Sequence, residues 1–386
     1  MPTIGRKKTI PDGWRQVRLG DIADVVMGQS PSSDAYNELG NGLPLVQGNH
    51  DIKNRKTVTN IWTSEITKTA EMGDVILTVR APVGCVGLAS EKICLGRGVC
   101  AIKPHEDQIT KAFLYKFLEL NESKWKMLEQ GSTFTAVNGS DIRKLTINLP
   151  PLPEQRRIVC ILETWDKMID ELIKIIGLKR LEKDLLARKM LTGAARLQGF
   201  SNKWSVKRLG DLLDYEQPTK YLVKDAEYND NHSVPVLTAG KTFVLGYTNE
   251  NTGIFTDLPV IIFDDFTTAN KYVTFPFKAK SSAMKMLKAK GDETDLKFVF
   301  EKMQLLNFQP GEHKRYWISE YQEQEIEVPE LEEQRAIASV LTKADEIIYI
   351  LKKKLANLQS QKTYLLNALM TGTIRAPETL TVITEK

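Results

Sequence analysis

Residues 150–162 read PPLPEQRRIVCIL, and residues 329–341 read PELEEQRAIASVL. Proline near a first turn, then acid, then an apolar rhythm is the grammar of a helix start. One such opening marks a helix. Two in matching register mark an internal repeat, and that repeat decides the fold.

The match runs without a gap from 150–193 to 329–372, at a constant offset of 179. Identical pairs include Glu154/Glu333, Gln155/Gln334, Arg156/Arg335, Asp166/Asp345 and Lys183/Lys362. Both copies finish on Thr-Gly (Thr192-Gly193 and Thr371-Gly372), where glycine stops a helix. Apolar residues recur at 4,3 spacing, for example Ile337, Leu341, Ala344, Ile348 and Leu351, which is the seam of a coiled coil. At 1.5 Å per residue, a helix of roughly 40 residues extends about 60 Å. Lys183 and Lys362 interrupt the seam at the same place. They read as lysines reaching past the seam to water, or as residues that fix register or a partner contact.

A second repeat precedes each helix. WRQVRLGDIAD, from Trp14, recurs as WSVKRLGDLLD, from Trp204. The order is therefore globular unit, long helix, globular unit, long helix. The expected divisions are 1–149, 150–193, 194–328 and 329–373, with a tail at 374–386. The joint TGAARLQGFSNK has the small, polar composition of a linker. Strands are predicted in GDVILTV, CVGLA and GVCAIK and a helix around AFLYKFLELNE. The second unit gives strands in HSVPVLTAG, LPVIIF and KYVTFPF and a helix near LKFVFEKMQLL. The fold class is α+β: two unlike mixed heads, each followed by a long coiled-coil helix.

The 386 residues suit two domains, and 42% hydrophobic with 26% charged residues suit a globular chain. No apolar run approaches a membrane span. The basic opening MPTIGRKKTIPDGW has no apolar segment behind it, so a cytoplasmic location is expected. Four cysteines form no CxxC pair, and Cys94, Cys100 and His105 match no zinc spacing. A net charge of +4 permits nucleic-acid binding without arguing for it.

Paired P-x-L-x-EQR openings closing on TG, each after a head that begins W-x(3)-RLGD, resemble the specificity subunits of type I restriction-modification enzymes. The resemblance covers nearly the whole chain. It implies that each head reads one half of an asymmetric bipartite site in double-stranded DNA. It further implies that the two long helices pack antiparallel, set the spacing and dock two modification (methyltransferase) subunits, with restriction/translocase subunits completing the complex. On that footing the chain is non-catalytic and binds no cofactor, and S-adenosylmethionine, ATP and Mg²⁺ serve its partners.

Candidate DNA contacts follow from residue chemistry. In the first head they are Gln47 and Asn49 in VQGNH, Arg80 in TVRAP, Arg97, and the polar run GSTFTAVNG. Amides pair with adenine, lysine and arginine hold phosphates, and a few polar side chains reach base edges. In the second head, residues 266–291 contain no acid but carry Lys271, Lys278, Lys280 and Lys285 among aromatics. GEHKRYWIS adds His313, Lys314, Arg315 and Trp317. Lys220 in YEQPTKYLV and Lys241 in VPVLTAGKTF lie in stretches resembling a recognition-domain subtype associated with a GAA half-site.

Other classes are weighed on the same residues. An amino-methyltransferase needs N-P-P-aromatic, and INLPPLPEQ interposes Leu149. A nuclease reading rests on Asp264-Asp265 with Asp295-Leu296-Lys297. No G-x(4)-GK[ST] is present for ATP. The alternative from another class is a coiled-coil scaffold with two protein-binding heads.

Overall fold

The computed structural model describes residues 10–131, 137–225, 227–240, 242–311 and 314–380. The chain divides into two compact units, residues 1–173 with 354–386, and residues 174–353. Both are mixed α/β. The repeated openings begin the two long helices, Leu152–Leu191 and Leu331–Met370, each of 40 residues.

In the first unit the entry strand Arg15–Arg18 pairs antiparallel with Thr146–Leu149, the strand that leads into the first long helix. The head therefore begins and ends in one two-stranded ribbon. Every residue of RLGD acts at this junction. Arg18 supplies a backbone N–H to Asp21 Oδ2 at 3.3 Å, and Leu19 is fully buried and donates its N–H to Leu145 O at 2.8 Å. Gly20 leaves room for Arg143, whose Cβ would lie 2.8 Å from a side chain at position 20.

Between the ribbon strands runs a sheet ordered Ala23–Met27, Val99–Pro104, Val75–Thr78 and Val86–Leu88, with a short hairpin at its edge. A second sheet pairs Leu43–Val46 parallel with Ile93–Leu95. Cys94 and Cys100 are buried in these strands, and burial pushes the Cys100 thiol up to about 12. The helix Lys111–Gly131 sends Phe113, Leu114 and Leu118 into a core shared with Ile158 and Leu162 of one long helix and Leu366 and Leu369 of the other. Each such buried side chain contributes about 1.5–3 kcal/mol.

The second unit repeats this plan with other residues. Ser205–Arg208 pairs with Glu325–Val328, closing a second ribbon, and Leu209 is fully buried with its N–H on Gln324 O at 3.0 Å. Its sheet runs Leu213–Glu216, Met284–Ala289, Val260–Asp264, Asn270–Val273. Val234–Leu237 pairs parallel with Lys278–Ala279, as Leu43–Val46 does with Ile93–Leu95. Four strands of the larger sheet keep one order in both heads, although the sequences match only at the entry segment.

Within each unit the long helices run antiparallel, and charged anchors fix their register. In the first unit Glu154 pairs with Arg375 and Asp166 with Lys362, so partners descend as positions rise. In the second, Lys183 pairs with Asp345 and Arg196 with Glu333. Lys183 and Lys362 thus serve as register contacts, each reaching a head carboxylate as well, Glu301 and Glu119. Glu154 accepts the Trp14 indole N–H at 3.0 Å and two Arg375 bonds at 2.6 and 2.7 Å. Glu333 accepts the Trp204 indole N–H at 3.1 Å and two Arg196 bonds at 2.6 and 2.7 Å. Beside each glutamate a glutamine clamps the helix start: Gln155 binds Pro150 O and Gln108 O, and Gln334 binds Pro329 O and Glu293 O. The joint around Arg196 is therefore tied down rather than loose.

Burial alone would raise Glu154, Glu119 and Asp166. Their lysine, arginine and tryptophan partners outweigh it and hold all three below the ordinary carboxylate range. A depressed folded value means stability that is complete above the unfolded pKa and is lost as pH falls through the folded one. The first unit should therefore lose stability progressively below about pH 4, near the ordinary Asp and Glu values. Glu154→Gln should remove about 2–3 kcal/mol at neutral pH and flatten that acid slope. Urea melts at pH 7 and pH 3.5 check both. An unchanged midpoint at pH 7 would show that the anchor contributes nothing.

Candidate nucleic-acid interface

Gln47 and Asn49, Arg80, and Arg97 lie in three separate stretches of sequence. The structure brings all four to the wall of one cleft of about 690 Å³, with Ser30, Tyr36 and His50 beside them. Three strand-end loops build it. The first follows Leu43–Val46 and is set by buried Asp51, which accepts the Gln47 N–H at 2.7 Å and the Gly48 N–H at 3.2 Å. His50 Nε2 lies 3.0 Å from the other Asp51 oxygen. The second carries Arg80 beyond Val75–Thr78, where the Thr78 hydroxyl donates to Pro82 O and accepts the Cys85 N–H, both at 2.9 Å.

The third is the turn 96–98 between Ile93–Leu95 and Val99–Pro104, and it carries Arg97. Gly96 N–H bonds Val46 O at 2.8 Å, and Val79 N–H bonds Gly98 O at 2.9 Å, so this turn ties the other two loops together. A Cβ at Gly98 would stand 2.0 Å from Gln47 O. Only glycine permits that approach.

Arg80 and Arg97 are exposed and neither meets a carboxylate among the described residues. Two unpaired guanidinium groups and two amides therefore face one opening. That set suits an anion carrying planar donors and acceptors, which is the chemistry of phosphate and base edges. Residues 132–136 of the polar run lie outside the described residues.

In the second head the candidate residues form a different set. Lys220 is 80% exposed and only loosely held, 3.7 Å from Glu216. Lys271, Lys280 and Arg315 are exposed, with Lys280 Nζ 5.6 Å above the Tyr228 ring. Lys314 pairs with Glu320. Lys241 and His313 lie outside the described residues.

Two lysines of the acid-free stretch are not surface groups. Lys278 is 1% exposed, donates to Thr252 O at 2.7 Å and pairs with Glu250 at 2.9 Å. Lys285 is fully buried 3.0 Å from Asp265. A run without acid in sequence acquires acid in space, because Glu250 and Asp265 come from neighbouring strands and loops. Trp317 is likewise buried, edge-on to Phe263 at 5.3 Å, so it supports its turn rather than facing a ligand.

The carboxylates behind a nuclease reading have structural work. Asp264 accepts the Phe266 and Thr267 N–H groups, and Asp295 caps the helix Leu296–Met303 through the Phe298 N–H at 2.8 Å. Lys297 is held by Glu301 and Asp345. Among the described residues no group of three or more His, Cys, Asp or Glu could hold a metal ion. No described helix is long and apolar enough to cross a membrane.

Burial separates the lysines by measurement. Lys278→Ala should cost about 3 kcal/mol, because it leaves Glu250 facing a gap. Lys271→Ala and Lys280→Ala should each stay within about 0.5 kcal/mol. Urea denaturation of the three variants gives the order, and equal midpoints would contradict the burial.

Comparison with known proteins follows the same division. Residues 11–182 and 201–360 each match the family model described as the type I restriction modification DNA specificity domain. The EcoR124I/EcoR124II specificity subunit of Escherichia coli is 55% identical over 138 residues, 34% of each chain. The putative MjaX specificity subunit of Methanocaldococcus jannaschii is 36% identical over 198 residues, 49% of this chain and 45% of that one. The matches thus span about a third and just under half of those two relatives. A crystal structure of a type I restriction-modification S subunit from M. genitalium shares the fold, with a TM-score of 0.61 at 17% identity over 96% of this chain and 98% of that one. With both repeats matched across their heads and most of their helices, the chain belongs to the family of type I restriction-modification specificity subunits.

Proposed function

We propose that this chain is the DNA-reading, non-catalytic component of a type I restriction-modification complex. The observation that carries it is the first-head cleft, where Gln47, Asn49, Arg80 and Arg97 converge on one opening and neither guanidinium meets a carboxylate among the described residues. Amides and guanidinium groups side by side combine base-edge readout with phosphate positioning. The second head presents a different set of exposed cations, Lys220, Lys271, Lys280 and Arg315. Unlike heads on repeated supports read unlike half-sites, so the target is asymmetric and bipartite.

The repeated helices serve two modification subunits, and restriction subunits complete the assembly. S-adenosylmethionine, ATP and Mg²⁺ act in those partners. The carboxylate and lysine groups that a nuclease would need in this chain are engaged in capping and ion pairs.

A pool of random duplex DNA, enriched on the full chain and sequenced, should yield two half-sites around an unread spacer. Arg80→Ala or Arg97→Ala should relax one half-site by roughly 5- to 150-fold and leave the other intact. Lys271→Ala and Lys280→Ala should weaken binding to all sequences and reduce the salt slope by about one each. Enrichment without any shared sequence would overturn the proposal. Mixed alone with DNA, S-adenosylmethionine and Mg²⁺, the chain should leave DNA unmethylated and uncut, and robust activity would contradict a non-catalytic role.

A further inference from the structure

Asp265 and Lys285 are both fully buried, with Oδ2 and Nζ 3.0 Å apart. Among the described residues neither of those two atoms makes a hydrogen bond, so the pair is held by charge without alignment. Lys285 Nζ also sits 5.3 Å from the Tyr215 ring. A buried ion pair of this kind is often no more stabilising than an apolar pair of the same volume. What it does supply here is placement.

Asp265 follows the strand Val260–Asp264 and holds the turn Tyr316–Ser319 by two bonds. Its Oδ1 accepts the Trp317 N–H at 2.9 Å, and its backbone carbonyl accepts the Tyr316 N–H at 2.8 Å. The Trp317 ring packs on Phe263 at 5.3 Å and on Tyr321 at 6.1 Å. Arg315 stands at the N-terminal edge of that turn and is exposed. Its backbone carbonyl accepts the Ser319 hydroxyl at 2.8 Å, which continues the same brace. A carboxylate can occupy the Asp265 position only if a cation neutralises it, and Lys285 does so from the neighbouring strand Met284–Ala289.

We propose that the Lys285–Asp265 pair is a positioning device that fixes the turn bearing Arg315, and thereby sets the sequence discrimination of the second head. This rests on the reading that the second head contacts DNA. Lys285 itself touches no ligand. It acts through Asp265, which acts through the backbone of Trp317.

Two paired substitutions test the idea in the full chain. Asp265→Leu with Lys285→Met removes both charges and the acceptor for the Trp317 N–H. Asp265→Asn with Lys285→Met removes the charges and keeps an acceptor. The probe is random duplex DNA, with Arg315→Ala as the reference. The leucine variant should melt within a few degrees of the wild type, relax the second half-site by the roughly 5- to 150-fold of a lost base contact, and leave the first unchanged. The asparagine variant should discriminate as the wild type does. Hydrogen exchange of amides 315–320 should accelerate in the leucine variant alone.

Wild-type discrimination in the leucine variant, or equal loss in both, would overturn the proposal. So would a chain that folds in neither leucine nor asparagine form, because the pair would then hold the fold itself. If the wild-type chain enriches no sequence, the DNA reading fails, and the exchange result alone decides whether the pair positions the turn.

Discussion

Glu154 carries its charge into a site where only 4% of the residue is exposed, and Glu333 does so at 1%. A carboxylate taken out of water costs several kcal/mol unless its lone pairs are met. Here each meets the indole N–H of the tryptophan that opens its head and two N–H groups of an arginine that follows the other long helix. One side chain therefore joins three distant stretches: head entry, helix start, and the tail of the opposite helix. The rest of each unit hangs from that joint. It fixes where the ribbon enters, which way the helix leaves, and the register of its antiparallel neighbour.

The ribbon explains how one support carries unlike heads. Strands Arg15–Arg18 and Thr146–Leu149 are hydrogen-bonded neighbours, so the head is an insert whose two ends lie one strand spacing apart. Strands Ser205–Arg208 and Glu325–Val328 impose the same condition on the second head. Any fold that meets those ends can be accommodated. The two heads meet them with four strands in the same order and with different edge strands and connections. Rigidity is assigned to the repeat and variation to the strand ends.

The long helices were legible in sequence because a buried seam needs a strict apolar period, and Ile158, Leu162, Ile337 and Leu341 are indeed buried. The first-head cleft was legible residue by residue, since Gln47, Asn49, Arg80 and Arg97 stood out by chemistry. Their convergence was not, because it depends on close passages such as Gly98 against Gln47. The shared topology of the heads was hidden for a similar reason. Strand order is set by which edges pair, and the alternating apolar residues that fill the strands need not be identical. Lys278 and Lys285 misled because the acid-free window starts at Phe266, one residue after the Asp265 that neutralises Lys285. Arg196 and Arg375 escaped notice although they continue the offset of 179 three residues past Thr-Gly. Outside the helix pattern, nothing in composition marked them as anchors.

The most direct measurement of the central claim is a head transplant across the ribbon. Residues 209–324 are replaced by residues 19–145, leaving both ribbons, both tryptophans and both glutamate anchors in place. The sequences bound by this chain are then read from random duplex DNA. The account predicts a folded chain that recognises the same half-site twice, once on each strand, around an unread spacer. Retention of the original asymmetric site, or binding without sequence preference, would contradict it.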